Sequence, residues 1–135
     1  MTRATTTGTV DGYLIGDAAA ALEITIDTIR YYEKEGITPA PARGSDGRRR
    51  YDDAALAWLS GVVMLRGTGM TIREMRDYAA AYRNGADERE RLALLEQHHA
   101  VVMARHAEVQ RHLAALEHKI AAYRARVNSH SDMAI

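Results

Sequence analysis

The sequence predicts a mostly α-helical chain: a winged helix-turn-helix head with a small β-hairpin wing, followed by one long coiled-coil dimerisation helix. Three observations carry that expectation. Two short helical stretches, Tyr13–Leu22 and Thr25–Gly36, are parted by a brief break at Glu23–Ile24. A segment holding both prolines and a run of arginines follows them. Beyond Asp87 neither proline nor glycine interrupts the chain, and apolar residues recur there in alternating steps of three and four.

Length and composition bound the answer. The 135 residues suit one compact domain plus an extended element, and an apolar content of 47 % supports a modest core. There is no Phe and a single Trp, Trp58, and an apolar palette led by Ala, Leu, Ile, Val and Met favours helix over sheet. Eighteen basic residues balance eighteen acidic ones, so no global positive field draws the chain to nucleic acid. Site-specific binding needs only local basic charge, and apart from Lys34 and Lys119 all of that charge is arginine. The absence of Cys excludes disulfides, thiolate metal sites and thiol-based sensing. Residues 1–11 are rich in Thr and Gly and read as a flexible tail, neither signal peptide nor membrane span, which places the protein in the cytoplasm.

The elements follow in order. YLIGDAAAAL is an Ala-rich helix with Asp17 in its first turn, where a carboxylate suits the helix dipole. Thr25 is the expected N-cap of the second helix, ITIDTIRYYEKEG, which Gly36 stops. Pro39 and Pro41 forbid further helix, and Ser45-Asp46-Gly47 is turn chemistry, so a hairpin with its tip at 44–47 is expected. Arg43, Arg48, Arg49 and Arg50 crowd its arms. Asp52 or Asp53 caps a third helix to about Arg66, its apolar face made by Leu56, Leu59, Val62, Val63 and Leu65. Gly67-Thr68-Gly69 breaks it, and Thr71 with Glu74 is a capping box that opens a fourth helix through Tyr82.

After a hinge at 84–86 comes the long helix, its seam formed by Leu92, Leu95, His99, Val102, His106, Val109, Leu113, Leu116, Ile120 and Tyr123. A helix of that length is roughly 60 Å long, too long for the small head to cover, so a second copy is the expected partner. The predicted organisation is a tail at 1–11, a head at 12–83, a dimerisation helix at 84–127 and a C-terminal tail at 128–135.

The order of these parts points to double-stranded DNA. In a winged head the second helix enters the major groove and the hairpin grips the flanking backbone. Thr25, Asp27, Thr28, Arg30, Tyr31 and Tyr32 lie on or near that helix, with core packing the alternative for one of the adjacent tyrosines. A solvated turn is the alternative for Arg48–Arg50.

YLIGDAAAALEITIDTIRYYEKEGI, GRRRY before an Asp-capped helix, and LRGTGMTIREM together closely resemble the MerR family of transcription regulators. The resemblance covers about Tyr13 to Tyr82. It implies a winged head on an antiparallel coil, with Arg30, Tyr31 and Tyr32 on the recognition helix, Arg49 and Tyr51 in the first wing, and a second wing at Gly69–Thr71 where a helix N-terminus can bind phosphate. It also implies a homodimer on a pseudo-palindromic promoter site, acting on RNA polymerase indirectly by bending and untwisting the spacer. Glu23 stands at the helix-turn-helix corner where many relatives carry Gly, and the cysteines that many members use for sensing are missing.

Other classes fit less of the chain. A non-DNA coiled-coil adaptor or scaffold explains the heptads and leaves the RYY stretch and the arginines idle. No paired carboxylates, nucleophile elbow or phosphate loop points to an enzyme, and no cofactor is called for. A small-molecule effector is compatible with the sequence, with Met64, Met70, Met75, Tyr78, Tyr82 and Leu92 as pocket lining or simply as core. All six histidines lie beyond residue 97. Two of them, His99 and His106, are on the seam, too far apart on one helix to chelate one ion, and protonating them in a buried seam would loosen a pair.

Overall fold

The computed structural model describes residues 12–134. Five helices run in order: α1 (Ile15–Leu22), α2 (Ile26–Lys34), α3 (Asp53–Gly67), α4 (Ile72–Arg83) and α5 (Glu88–Ala134). The chain divides into two compact units whose boundary, Leu94/Leu95, falls inside α5. The expected tail at 1–11 lies outside the described residues, and α5 continues to Ala134 where the sequence reading ended it at Val127. Asn128, Ser129, His130 and Ser131 are polar, but none is Pro or Gly, so nothing in them stops a helix.

In the first unit, α1 packs on α2 and α3, and α3 packs on α4. Ala18 and Ala19, both buried, let α1 approach its neighbours closely. Ile29, Leu59 and Met75 fill the centre from α2, α3 and α4, and all three are essentially inaccessible. Local chemistry sets the helix starts. The Thr25 hydroxyl accepts from Thr28 N at 3.1 Å, and the Asp52 carboxylate from Ala55 N at 2.8 Å. Thr71 and Glu74 form the reciprocal capping box.

The corner between α1 and α2 is tight. Glu23 closes α1 in the left-handed conformation, at φ 57°, where its amide bonds Ala20 O. It is the one non-glycine with positive φ among the described residues. Replacing Glu23 with Gly is expected to raise unfolding stability by about 0.5–1 kcal/mol, the relieved strain less the entropy added to the unfolded chain. Urea unfolding of both proteins checks this, and equal midpoints would mean that the corner is unstrained.

Strand structure is sparser than expected. Rather than regular strands, the described residues make isolated antiparallel bridges, Arg43 with Arg49 inside the segment between α2 and α3, and Tyr51 of that segment with Tyr13 ahead of α1. Gly44 N reaches Arg48 O at 2.7 Å and Arg50 N reaches Ala42 O at 2.9 Å. The ladder ends there because Tyr51 gives its amide and carbonyl to Tyr13, and the next residue, Asp52, already caps α3. Gly12 is required at the second bridge, because a Cβ there would sit 2.6 Å from the Tyr51 carbonyl oxygen.

The second unit is the remainder of α5. No helix of the described residues is long and apolar enough to cross a membrane.

Candidate nucleic-acid interface

On α2 the two tyrosines part company. Ile29 and Tyr32 turn inward, while Arg30 is exposed and Tyr31 remains 45 % exposed. Adjacent helix residues point about 100° apart, so a helix with one buried face can present only one of the pair. Tyr32, counted among the contacts by the sequence reading, belongs to the core, and burial raises its phenol pKa. Asp27 and Arg30 are exposed and Thr28 is half-exposed. The Thr25 hydroxyl is taken up by its cap and by the Thr28 hydroxyl at 2.8 Å.

The loop between α2 and α3 brings the arginines to the same side. An open groove of about 760 Å³ is lined by Arg30 of α2, by Arg43, Arg48 and Arg49 of the loop, and by the start of α1 at Ile15, Gly16 and Asp17. Leu14 gives α1 no side-chain cap, so the first-turn amides of that helix are left without one beside the four guanidinium groups. The loop is shaped by its own polar groups. Arg43 Nη1 donates to Gly47 O at 2.7 Å, and Asp46 accepts from Arg48 N at 3.0 Å and from Arg50 Nη2 at 2.7 Å. The Arg48 amide first, then the Arg50 guanidinium, hold the Asp46 carboxyl below the ordinary aspartate range. Among the described residues the guanidinium groups of Arg30 and Arg48 have no ion-pair partner. Arg50 is largely covered and paired with Asp46, a loop brace more than a free cation.

One wing residue takes a position different from the one expected. Tyr51 is only 1 % exposed. Its hydroxyl donates to the Glu33 carboxylate, and burial, with that bond, raises its pKa, so the phenol stays a donor at any physiological pH. Tyr51 is thus an anchor under the loop, where the resemblance put it in the wing. At α4 the capping box uses the amides of Thr71 and Glu74: Glu74 accepts from Thr71 N at 2.9 Å, and Thr71 accepts from Glu74 N at 3.1 Å; neither bond involves the amides of Ile72 and Arg73 in the first turn.

Sequence reasoning missed two side chains. Arg66, in the last turn of α3, shares a cleft of about 300 Å³ with Asp27, Thr28, Tyr31 and Ile72, beside the exposed face of α2. The basic residue before GTGMT was its only signal. Glu33 had none, because it reads as one of three charges in EKE. The six residues offered as pocket lining do not share one environment. Met70 and Met75 are core, whereas Met64, Tyr82 and Leu92 are exposed. Among the described residues no group of three or more His, Asp or Glu is placed to hold a metal ion.

An exposed helix after a tight corner, flanked by an arginine-lined groove, defines a helix-turn-helix nucleic-acid binder. Comparison with known proteins makes this specific. The profile of the MerR HTH family regulatory proteins matches residues 13–82, and that of the MerR DNA-binding region matches residues 56–119. An uncharacterized HTH-type transcriptional regulator of Haemophilus influenzae is 38 % identical over 112 residues, 82 % of this chain and 83 % of that one. The regulator AdhR of Bacillus subtilis is 30 % identical over 89 residues, 58 % of this chain and 64 % of AdhR. The crystal structure of HiNmlR, a MerR family regulator lacking the sensor domain, bound to promoter DNA, superposes with a TM-score of 0.74 at 37 % identity, covering 83 % of this chain and 90 % of that one. A MerR family regulator from Bacillus thuringiensis gives a TM-score of 0.72 at 32 % identity, over 81 % of this chain and 96 % of the other. The chain belongs to the MerR family and is a DNA-binding transcriptional regulator, not an enzyme. The adaptor reading is set aside.

Proposed function

We propose that two copies of the chain, paired through α5, bind a pseudo-palindromic promoter site and act on RNA polymerase indirectly by bending and untwisting the spacer between promoter elements. The observation that carries this reading is the shared groove of Arg30, Arg43, Arg48 and Arg49 beside the start of α1. Arg30, Tyr31, Thr28 and Asp27 face the major groove, and Arg43, Arg48 and Arg49 neutralise phosphates on its flank. Pairing is supported by the bare seam of α5, where Val109, Leu113, Leu116, Ile120 and Tyr123 are each 40–58 % exposed on the single chain. The protein then works where promoter DNA is, in the cytoplasm.

Titration against DNA from the protein's own promoter region at two salt concentrations, with footprinting, tests this. A symmetric protected site is expected. Arg30→Ala should weaken it by about 1–3 kcal/mol in a sequence-dependent way. Arg49→Ala should weaken binding and lower the salt slope by about one. Weak, sequence-blind binding that neither substitution alters would overturn the proposal.

A further inference from the structure

One of the cations that the wing loop offers to DNA, Arg49, is not free. Arg49 Nη1 lies 2.7 Å from Glu33 Oε1, and the other oxygen of the same carboxylate accepts from the Tyr51 hydroxyl. Glu33 is on α2, one turn beyond Arg30 on the helix that reads DNA, whereas Arg49 and Tyr51 belong to the returning loop. The two ends of the pair differ in burial: the Glu33 side chain is 9 % exposed and that of Arg49 is 44 %. A carboxylate so covered, with a donor on each oxygen, has little freedom to turn. The guanidinium keeps donors that face outward, because an arginine has five N–H groups and the carboxylate engages one nitrogen.

We infer that Glu33 is a positioning residue for DNA discrimination: it locks the Arg49 guanidinium to the recognition helix, so that the loop grips phosphate in register only when α2 is seated on its own site. The inference rests on the DNA-contact reading of Arg49 made above. Two effects act in the same direction. On the cognate site, α2 fixes the frame and Glu33 hands Arg49 to one phosphate without a search. On other DNA, α2 does not seat, and the nearby carboxylate cancels part of the attraction between Arg49 and any passing phosphate. Glu33 thus lowers general affinity while sparing the specific site.

The test compares the footprinted operator duplex with a duplex of the same bases shuffled, in titrations over a salt series. The proteins are the native chain, Glu33→Gln, Arg49→Ala and the double variant. Glutamine keeps an oxygen for Tyr51 and removes the charge that holds Arg49. Glu33→Gln should bind the shuffled duplex about fivefold more tightly while gaining nothing on the operator, a factor of the size a partly exposed ion pair supplies. In the Arg49→Ala background the same change should have no effect on the ratio of the two affinities. An unchanged ratio in Glu33→Gln, with Arg49→Ala still weakening the operator complex, sinks the role of Glu33 and leaves the interface standing. Arg49→Ala without effect on either duplex removes both. Thermal melting of each variant separates folding from binding, since equal weakening on both duplexes with a lowered melting point would mean a structural role only. If Glu33→Gln does not fold, Tyr51→Phe tests the register alone: it frees one oxygen of the carboxylate and keeps the charge, so operator affinity should fall while shuffled-duplex affinity holds, and an unchanged ratio would overturn the proposal.

Discussion

Trp58→Ala is expected to lower unfolding stability by about 3–5 kcal/mol, the range for truncating a large aromatic side chain in a packed site. Trp58 sits on α3 and joins three parts of the head. Its ring lies parallel to Tyr78 at a centroid distance of 5.7 Å and tilted against Tyr82 at 4.8 Å. Its Nε1–H donates to the Ile37 carbonyl at 3.0 Å. Ile37 and Thr38, just past α2, are both buried, so the substitution also leaves a carbonyl without its donor. A head of this size has a net stability of about 4–11 kcal/mol, and the melting point should fall by more than about 10 °C. The damage should reach DNA binding. The C-terminal end of α2 is held by Trp58 on Ile37, by Arg83 Nη1 on the Gly36 carbonyl at 2.6 Å, and by the ion pair of Arg76 with Glu35. Trp58→Phe keeps the stack and loses one hydrogen bond, so it should cost only about 1 kcal/mol. Differential scanning calorimetry of the three proteins decides the matter. A Trp58→Ala protein that melts with the native one would show that the aromatic stack bears no weight.

What the sequence disclosed about this head was local. The caps at Thr25, Asp52 and Thr71 were legible because a short polar side chain before an apolar-periodic run satisfies amides two or three residues away, and needs nothing distant to do so. The left-handed corner at Glu23 was signalled only by the resemblance, in which many relatives carry Gly there, because a glutamate itself gives no local sign of positive φ. Orientation was not local. Whether Tyr31 or Tyr32 faces inward depends on how α2 packs in the head, and the burial of Tyr51 depends on a carboxylate eighteen positions earlier in the chain. Charge reading failed for a related reason. GRRRY advertised three equivalent cations, but folding gave Arg50 to Asp46 and Arg49 to Glu33, and left Arg48 outward. The turn at 44–47 was foreseen from its residues, whereas the length of the ladder beside it was overestimated, because the returning arm turns to Tyr13 at Tyr51 and enters α3 at Asp52.

On the proposed pairing through α5, placing aspartate at both Leu113 and Ile120 is expected to leave the protein a monomer and to weaken operator binding by roughly a hundredfold or more. On the single chain these residues are 44 % and 40 % exposed, along with Val109, Leu116 and Tyr123 of the same stripe. Each Leu or Ile that a partner helix covers contributes about 1.5–3 kcal/mol. A charge in its place forfeits that gain and must be desolvated without a counter-ion, once from each chain. Operator affinity falls with association because two linked heads reach two half-sites as one event, whereas a lone head has one half-site and no second hold. Aspartate at Ala104 is the control. It lies off the stripe and should leave both association and binding intact, which separates loss of the seam from a general effect of negative charge on α5. Sedimentation equilibrium and operator titration on the same preparations supply the two readouts. A doubly substituted protein that stays dimeric would place the interface elsewhere on the chain. One that is monomeric yet binds the operator as tightly as the native protein would mean that each head works alone, and the two-fold symmetry expected of the site would have no basis in the protein.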